Sequence, residues 1–343
     1  MKRNGLIQGM AVVSALGVAA VTGCSQAVES TKAGGSTTPV TLRLGTNDNE
    51  FAPSARAIET FADQVEELSG GELVIEPVWA ANQDPEVRDW DQRVARMVVS
   101  GDLDMGFIPA RAWDTEGVAS LRALSAPLLL TSQPLVDEVV RSDVAEDALA
   151  GLETAGVTGL ALVPEGLRHV FSYGDPLVTP EAFAGTTIRT PRSETGYAVF
   201  RAWGAGPDDL VGQAFDDGIF TGSVAGVDSS FARAGGLGSP TTVAANLTTS
   251  ANVNTLVVQT EVLEGLTSAH ADVLREAAIA TRDAVLADPP DEAALAEDFC
   301  AAGGRVVTAG DADLTASRCR RGRSTPSSSG TRRPRRCWGR SSR

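Results

Sequence analysis

Apolar and polar positions change period repeatedly along this chain, and each change marks an element. Residues 41–45 (TLRLG) read as a short apolar strand that opens into the polar loop TNDNE. Ile58, Phe61, Ala62, Val65 and Leu68 then fall at helical spacing until Ser69-Gly70-Gly71 stops the run. A second strand is predicted at 72–79. Val94, Met97 and Val98 mark a helical face closed by Ser100-Gly101, and a third strand follows at 104–110. The stretch 123–130 leads into more helix, and 156–163 reads as a fourth strand. Strands alternating with helices predict an α/β fold with a mostly parallel sheet.

A second α/β unit follows, from the loop around Arg168 through 222–231, and another strand is predicted at 254–260. A capped helix begins at Thr267, with Leu274, Ala277, Ala278, Ala280 and Val285 inward. Within this unit, Thr186-Thr187-Ile188-Arg189 reads as a β-branched strand stopped by Pro191, and Ser193 as the N-cap of the next helix. Two-domain α/β proteins bind ligands between the domains or at strand C-termini. Arg189 stands at such a strand end, where a planar guanidinium can hold a carboxylate through two parallel hydrogen bonds.

Length and charge narrow this picture. The 343 residues suit two domains, and 43% hydrophobic content is enough for sizeable cores. The net charge is −15, but ten of the 29 basic residues lie in 317–343, which has no acid; residues 1–316 set the other 19 against all 44 acids, about −25. So acidic a body suits neither nucleic acid nor anionic lipid, and an anion would have to be held by a few local arginines. Cys300, Cys319 and Cys337 show no metal-ligand spacing and no disulfide framework.

The first 24 residues read as a leader. Lys2 and Arg3 precede an apolar stretch too short to span a membrane, ending in Val21-Thr22-Gly23-Cys24, which resembles a bacterial lipobox. This predicts cleavage before Cys24 and its lipidation; a soluble secreted protein with an incidental Cys24 is the alternative. Residues 24–39 form a polar tether.

Beyond residue 40 the chain resembles the DctP-type substrate-binding proteins of TRAP (tripartite ATP-independent periplasmic) transporters. The resemblance rests on ordered segments: LRLGTN (42–47), EELSGGEL (66–73), VVSGDLDMGF (98–107), GLRHVFSYGDPLVTPEAFAGTTIRTPRS (166–193), GAGP (204–207), TGSVAGVD (221–228) and VLEGLTSAHADVLREAA (262–278). It implies a two-lobed periplasmic-binding-protein-like α/β fold with a ligand cleft between two domains joined by hinge segments. Lobe I would comprise 40–164 plus about 253–290, lobe II 165–252, and a C-terminal helix and strand region 291–316. The implied ligand is a small carboxylate held by Arg189, supported by Arg168. Further matched or well-placed pocket positions are Asn47, Asp228, Ser229 and Asn252, with Asn254 nearby, Trp113 as a wall, and Arg192 one turn past Arg189. The implied partners are the small and large TRAP membrane subunits, with the membrane reached through a lipid anchor only and the protein monomeric. No cofactor, metal or nucleic acid is implied.

The chain also departs from the family. Where the family usually has Asp-Gly-Gln-Glu, this sequence has Ala225-Gly226-Val227-Asp228, so the acid is kept but shortened. After GAGP, Gly212 and Ala214 stand where an aromatic and a Glu-x-aromatic pair are common. A receptor for an ABC importer or a sensor kinase shares the same two-lobed logic. A secreted enzyme is the reading from another class, but His169 and His270 are the only histidines, and no nucleophile elbow, HExxH helix or phosphate loop occurs. Residues 317–343 read either as a disordered basic tail or as a frameshifted end; in the second case the chain lacks a packed terminal helix.

Overall fold

The computed structural model describes residues 38–324, with side chains to residue 318. The leader, most of the tether, Cys24 and the stretch beyond 324 lie outside the described residues. The chain runs β1 (Val40–Gly45), α1 (Ala55–Ser69), β2 (Leu73–Val78), α2 (Trp90–Ser100) and β3 (Met105–Pro109). Helices α3 (Gln133–Val140) and α4 (Asp143–Ala150) precede the long strand β4 (Val157–Ser172). Then come α5 (Pro180–Phe183), β5 (Thr187–Arg189), α6 (Glu194–Ala202), β6 (Gly206–Asp208), α7 (Gly212–Thr221), β7 (Gly226–Ser229), β8 (Thr242–Ala244) and a second long strand, β9 (Ser250–Gln259). Helices α8 (Thr260–Gly265), α9 (Ser268–Ala287) and α10 (Glu292–Ala301), strand β10 (Arg305–Val307) and α11 (Asp311–Ser324) follow.

The helices end where the sequence predicts. Gly70 closes α1 at φ +62°, a left-handed conformation that a side chain would strain. Ser193 accepts the Gly196 amide at 3.0 Å, and Thr267 caps α9 through the His270 amide.

The sheet is mixed, which corrects the expectation of a mostly parallel one. β1 pairs in parallel with β2 and β3, but β9 runs antiparallel to both β3 and β4. Further along, β4 pairs antiparallel with β7 and β8, while β5 is parallel to β6 and β7, and β10 to β8. The cause is chain path. β4 carries the backbone from one lobe into the other and β9 brings it back, so these long neighbours must point in opposite directions. Their ladder shifts register between Pro164 and Leu167, at Gly166 with φ +99°. Glu292 accepts the Leu167 amide there at 3.2 Å.

Two apolar cores flank the first half of the sheet. Ile58, Phe61, Leu256 and Leu274 anchor one, and Val94, Trp113, Val157 and Val257 the other. Two more belong to the second half: Phe183, Ile188, Phe200 and Trp203 in one, Phe171, Val227, Phe231 and Phe299 in the other. Phe299 on α10, Val307 on β10 and Leu314 on α11 all join the second pair. The Trp203 indole donates to the Ser317 carbonyl at 3.2 Å, and Ser317 is 1% exposed. Helix α11 runs on to Ser324 and is packed as far as Ser317, which corrects the expectation of a tail beginning at 317. The frameshift reading of the remaining tail falls outside the described residues.

Candidate functional site

The ladder positions the site. In β5, Ile188 is buried in the second lobe's core, so the period-two alternation turns Arg189 to the opposite face. There it lines a cleft of about 510 Å³ walled by residues of both lobes, among them Asn47, Asp48, Trp90, Asp91, Arg111, Arg168, Ser229, Arg233, Asn252 and Asn254.

Arg189 is held from behind and open in front. Its Nε donates to the Leu210 carbonyl at 3.0 Å, and its guanidinium carbon lies 5.0 Å from the Trp90 ring centroid and 5.2 Å from that of Phe215. These aromatic faces orient the fork and attract its charge. Among the described residues no carboxylate pairs with it. Burial, then the like charges of Arg168 and Arg111, push its pKa down to about 10. It remains a cation at neutral pH, held where a bound anion would relieve the desolvation.

Arg168 lines the cleft but its charge is already matched. Its Nε donates to Asp228 Oδ2 at 3.1 Å and its Nη2 to the Asp228 carbonyl at 2.6 Å. Asp228 also accepts from the hydroxyls of Thr190 at 2.9 Å and Thr249 at 2.7 Å. With its oxygens so occupied, Asp228 does not line the cleft; its place is that of the buried counter-ion that orients Arg168.

The neighbouring His169 is 2% exposed, and burial lowers its pKa to about 4. Although Glu292 lies 3.9 Å from its Nε2, a ring with that pKa is neutral at pH 7, so this contact is no ion pair. Because the unfolded chain takes up the proton near pH 6.5 and the folded one does not, stability falls as pH drops from about 6.5 towards 4. Acid melting curves of wild type and His169→Gln should diverge in that window by on the order of a few kcal/mol. Parallel curves would refute the assignment.

Two expected site residues lie elsewhere. Trp113 is fully buried in the first lobe's core, its indole donating to the Thr255 hydroxyl at 2.9 Å, so it is no pocket wall. Arg192 turns away from the cleft; its Nε donates to Asp209 at 2.6 Å on the rim of a separate surface cavity. The first is displaced by hydrophobic burial and the second by a nearer carboxylate. Asn47, Ser229 and Asn252 do line the cleft, as does Asn254.

Several cleft residues escaped the sequence reading. Arg111 pairs with Asp91 through Nη2 at 2.6 Å, while its Nε and Nη1 are buried without a protein partner. It stands two residues past the end of β3, the same strand-end signal that singled out Arg189. Arg233 donates from Nη1 and Nη2 to the two oxygens of Asp48 at 2.9 and 2.8 Å, and from Nε to Glu165 at 2.8 Å. Burial alone would raise the Asp48 pKa, but Arg233 outweighs it and holds the carboxyl below its usual range. Nothing in the sequence around Arg233 marks this fork.

The lobes also meet across the mouth of the cleft. Asp114, from the first lobe, accepts the Ser193 hydroxyl at 2.7 Å and the Glu194 and Thr195 amides at 3.2 and 2.8 Å. It thereby caps α6 of the second lobe, placing a negative charge at a helix N-terminus. Gln92 donates to the Arg192 carbonyl at 3.0 Å, and Arg88 pairs with Asp208 and Asp209. These contacts tie the two lobes together beside the cleft. Asp114→Ala should weaken ligand binding by about fivefold, since a lost cap costs about 1 kcal/mol and this one forms only when the lobes meet. Calorimetry giving an unchanged affinity would rule out Asp114 as a closure contact.

Two lobes linked by crossing strands, closed over a cleft with one unmatched guanidinium, define a ligand-binding protein. The chain belongs to the bacterial extracellular solute-binding protein family 7, whose DctP model matches residues 44–319. It is 26% identical over 113 residues to the C4-dicarboxylate-binding periplasmic protein DctP of Rhodobacter capsulatus, a match spanning 33% of this chain and only 34% of that relative. Among solved structures, a TRAP periplasmic solute-binding protein from Ralstonia eutropha with bound (S)-2-acetolactate is 21% identical, with 82% of this chain and 91% of that one covered at a TM-score of 0.73. Another from Pseudomonas aeruginosa, with bound L-malate, is 17% identical, with 82% and 97% covered at a TM-score of 0.71. At these identities the likeness establishes the two-lobed fold.

Proposed function

We propose that this protein is a non-catalytic receptor that captures a small organic acid outside the cytoplasmic membrane and delivers it to a TRAP-type secondary transporter. The observation that carries the reading is Arg189, a cation gripped by two aromatic rings and one carbonyl, with no carboxylate of the described residues opposite it. Family membership supports the receptor role, and the acids bound by the related proteins support the ligand class. Ser229, Asn47, Asn252 and Asn254 would hold the body of the ligand, with Arg168 beside its carboxylate. The lipobox-like Val21-Thr22-Gly23-Cys24 supports anchoring through a lipid on Cys24, and the membrane subunits are the partners.

Thermal-shift screening of the full chain against organic acids tests this reading. A ligand present at a hundred times its Kd stabilises the folded state by about 2.7 kcal/mol, a readily visible upward shift. If only neutral or cationic solutes stabilise the protein, the receptor does not serve acids.

A further inference from the structure

Taking Arg189 as the carboxylate clamp, the charges around it decide what else the ligand can carry. Four guanidinia and four carboxylates gather at the cleft. Arg111 is matched by Asp91 at 2.6 Å and Arg168 by Asp228 at 3.1 Å. Arg233 is engaged by both Asp48, at 2.8 Å, and Glu165, at 2.7 Å. Arg189 alone has no counter-ion among the described residues, so the cleft offers one unmatched positive charge. The Arg233 cluster, with two carboxylates to one guanidinium, carries one negative charge in excess, so a second carboxylate on the ligand would be buried unpaired beside like charge, which is strongly unfavourable.

Hydrogen-bond polarity points the same way. Glu165 accepts from Nδ2 of Asn252 and from Nδ2 of Asn254, each at 3.0 Å. A carboxylate only accepts, so both amides must turn their NH2 groups towards it, which leaves each Oδ1 as an acceptor. Both residues line the cleft. Arg111 contributes the opposite polarity, with Nε and Nη1 buried and unpartnered, and Asn47 keeps its NH2 because its Oδ1 already accepts from Asn82. A lining that mixes committed acceptors with unused donors suits groups that both give and take a hydrogen bond. Hydroxyls do this. A second carboxylate would face the two Asn oxygens with no proton to offer, and an ammonium would sit among guanidinia with nothing for Arg111 to donate to.

We propose that the ligand is a hydroxylated monocarboxylate of the sugar-acid type, that dicarboxylates are excluded, and that Glu165 sets this choice as a positioning residue. Glu165 does not reach the ligand; it acts by orienting Asn252 and Asn254 and by giving the Arg233–Asp48 pair one negative charge in excess.

The test compares acids of matched carbon skeleton on the full chain by calorimetry: gluconate, galactonate and mannonate, each against its own aldarate, with hexanoate as the unhydroxylated monoanion. At least one aldonate should bind, and do so about tenfold or more tightly than its aldarate and than hexanoate. Glu165→Gln removes one negative charge and frees the two amides to turn, so in that variant the aldonate-to-aldarate ratio should shrink to about threefold or less. A merely structural role for Glu165 would lower all affinities together and leave the ratio unchanged. The proposal is overturned if an aldarate or hexanoate binds the wild type as tightly as the aldonate, if no aldonate binds, or if the ratio survives Glu165→Gln. Repeating the titrations in Arg189→Ala separates this outcome from failure of the clamp. Dicarboxylate or hexanoate binding that disappears in that variant leaves Arg189 standing, whereas binding that persists removes it.

Discussion

Arg189→Ala is expected to abolish binding of the acid while leaving the fold intact. Truncating one partner of a desolvated charge pair costs roughly 2–5 kcal/mol, about 30-fold to several thousand-fold in Kd. The fold should tolerate the change because Arg189 makes no ion pair with the described residues and donates one hydrogen bond, to the Leu210 carbonyl. Losing the mutual repulsion with Arg168 and Arg111 offsets part of the lost stacking. Arg189→Lys supplies the informative intermediate: the charge survives, but the planar fork and its fit between Trp90 and Phe215 do not. Its affinity should fall well below wild type and stay above that of the alanine variant. Calorimetry in which Arg189→Ala binds within about threefold of wild type would remove Arg189 from the site.

The largest expected loss of stability belongs to Asp228→Ala. Arg168 is 5% exposed and its side-chain ion pair is with Asp228, so the variant would strand a cation inside the protein. Breaking a buried pair from one side costs about 3–5 kcal/mol. Thr190 loses its acceptor as well, and Thr249 keeps only the Arg168 carbonyl, at 3.1 Å. A fall in melting temperature of roughly 10 °C is expected for a protein of this size. The double variant Arg168→Met with Asp228→Leu removes both charges and should recover much of that loss, because an apolar pair of similar volume spares the desolvation. It should still bind acids poorly, with Arg168 gone from the cleft wall. A single variant melting within a degree or two of wild type would mean that Arg168 finds water or another acceptor, and the buried-pair description would fall.

Local rules carried a good part of the architecture. Strand and helix positions followed from period, and their ends from Gly70, Gly101, Pro191 and Ser193, because each of those features is decided within a few residues. Arg189 was legible for the same reason: a charged residue at the end of an apolar strand declares itself. Strand direction was not local. Nothing within residues 157–172 says that β4 continues past the first lobe, and the antiparallel crossing depends on β9, some eighty residues later. The fate of long polar side chains was equally hidden. Arg168, Arg192 and Arg233 look alike in sequence; Asp228, Asp209 and the Asp48–Glu165 pair, all distant or on other elements, leave none of the three with charge to spare. Trp113 was misplaced because an indole suits a core and a pocket wall equally until its neighbours are known.

Helices α10 and α11 and strand β10 pack into the second lobe, and this shapes how the molecule comes into being. Phe299 and Leu314 close cores whose other fully buried members lie between residues 170 and 247, and the first lobe likewise waits for Leu256, Leu274 and Leu286. Neither lobe is a continuous stretch that could mature while the rest of the polypeptide is still being made. Both must hold partial, solvent-exposed cores until late segments arrive, so folding is governed by contacts far apart in sequence and is correspondingly slow. For a chain read as passing through a membrane before it works, a lobe that cannot close early is one that stays threadable until the crossing is complete.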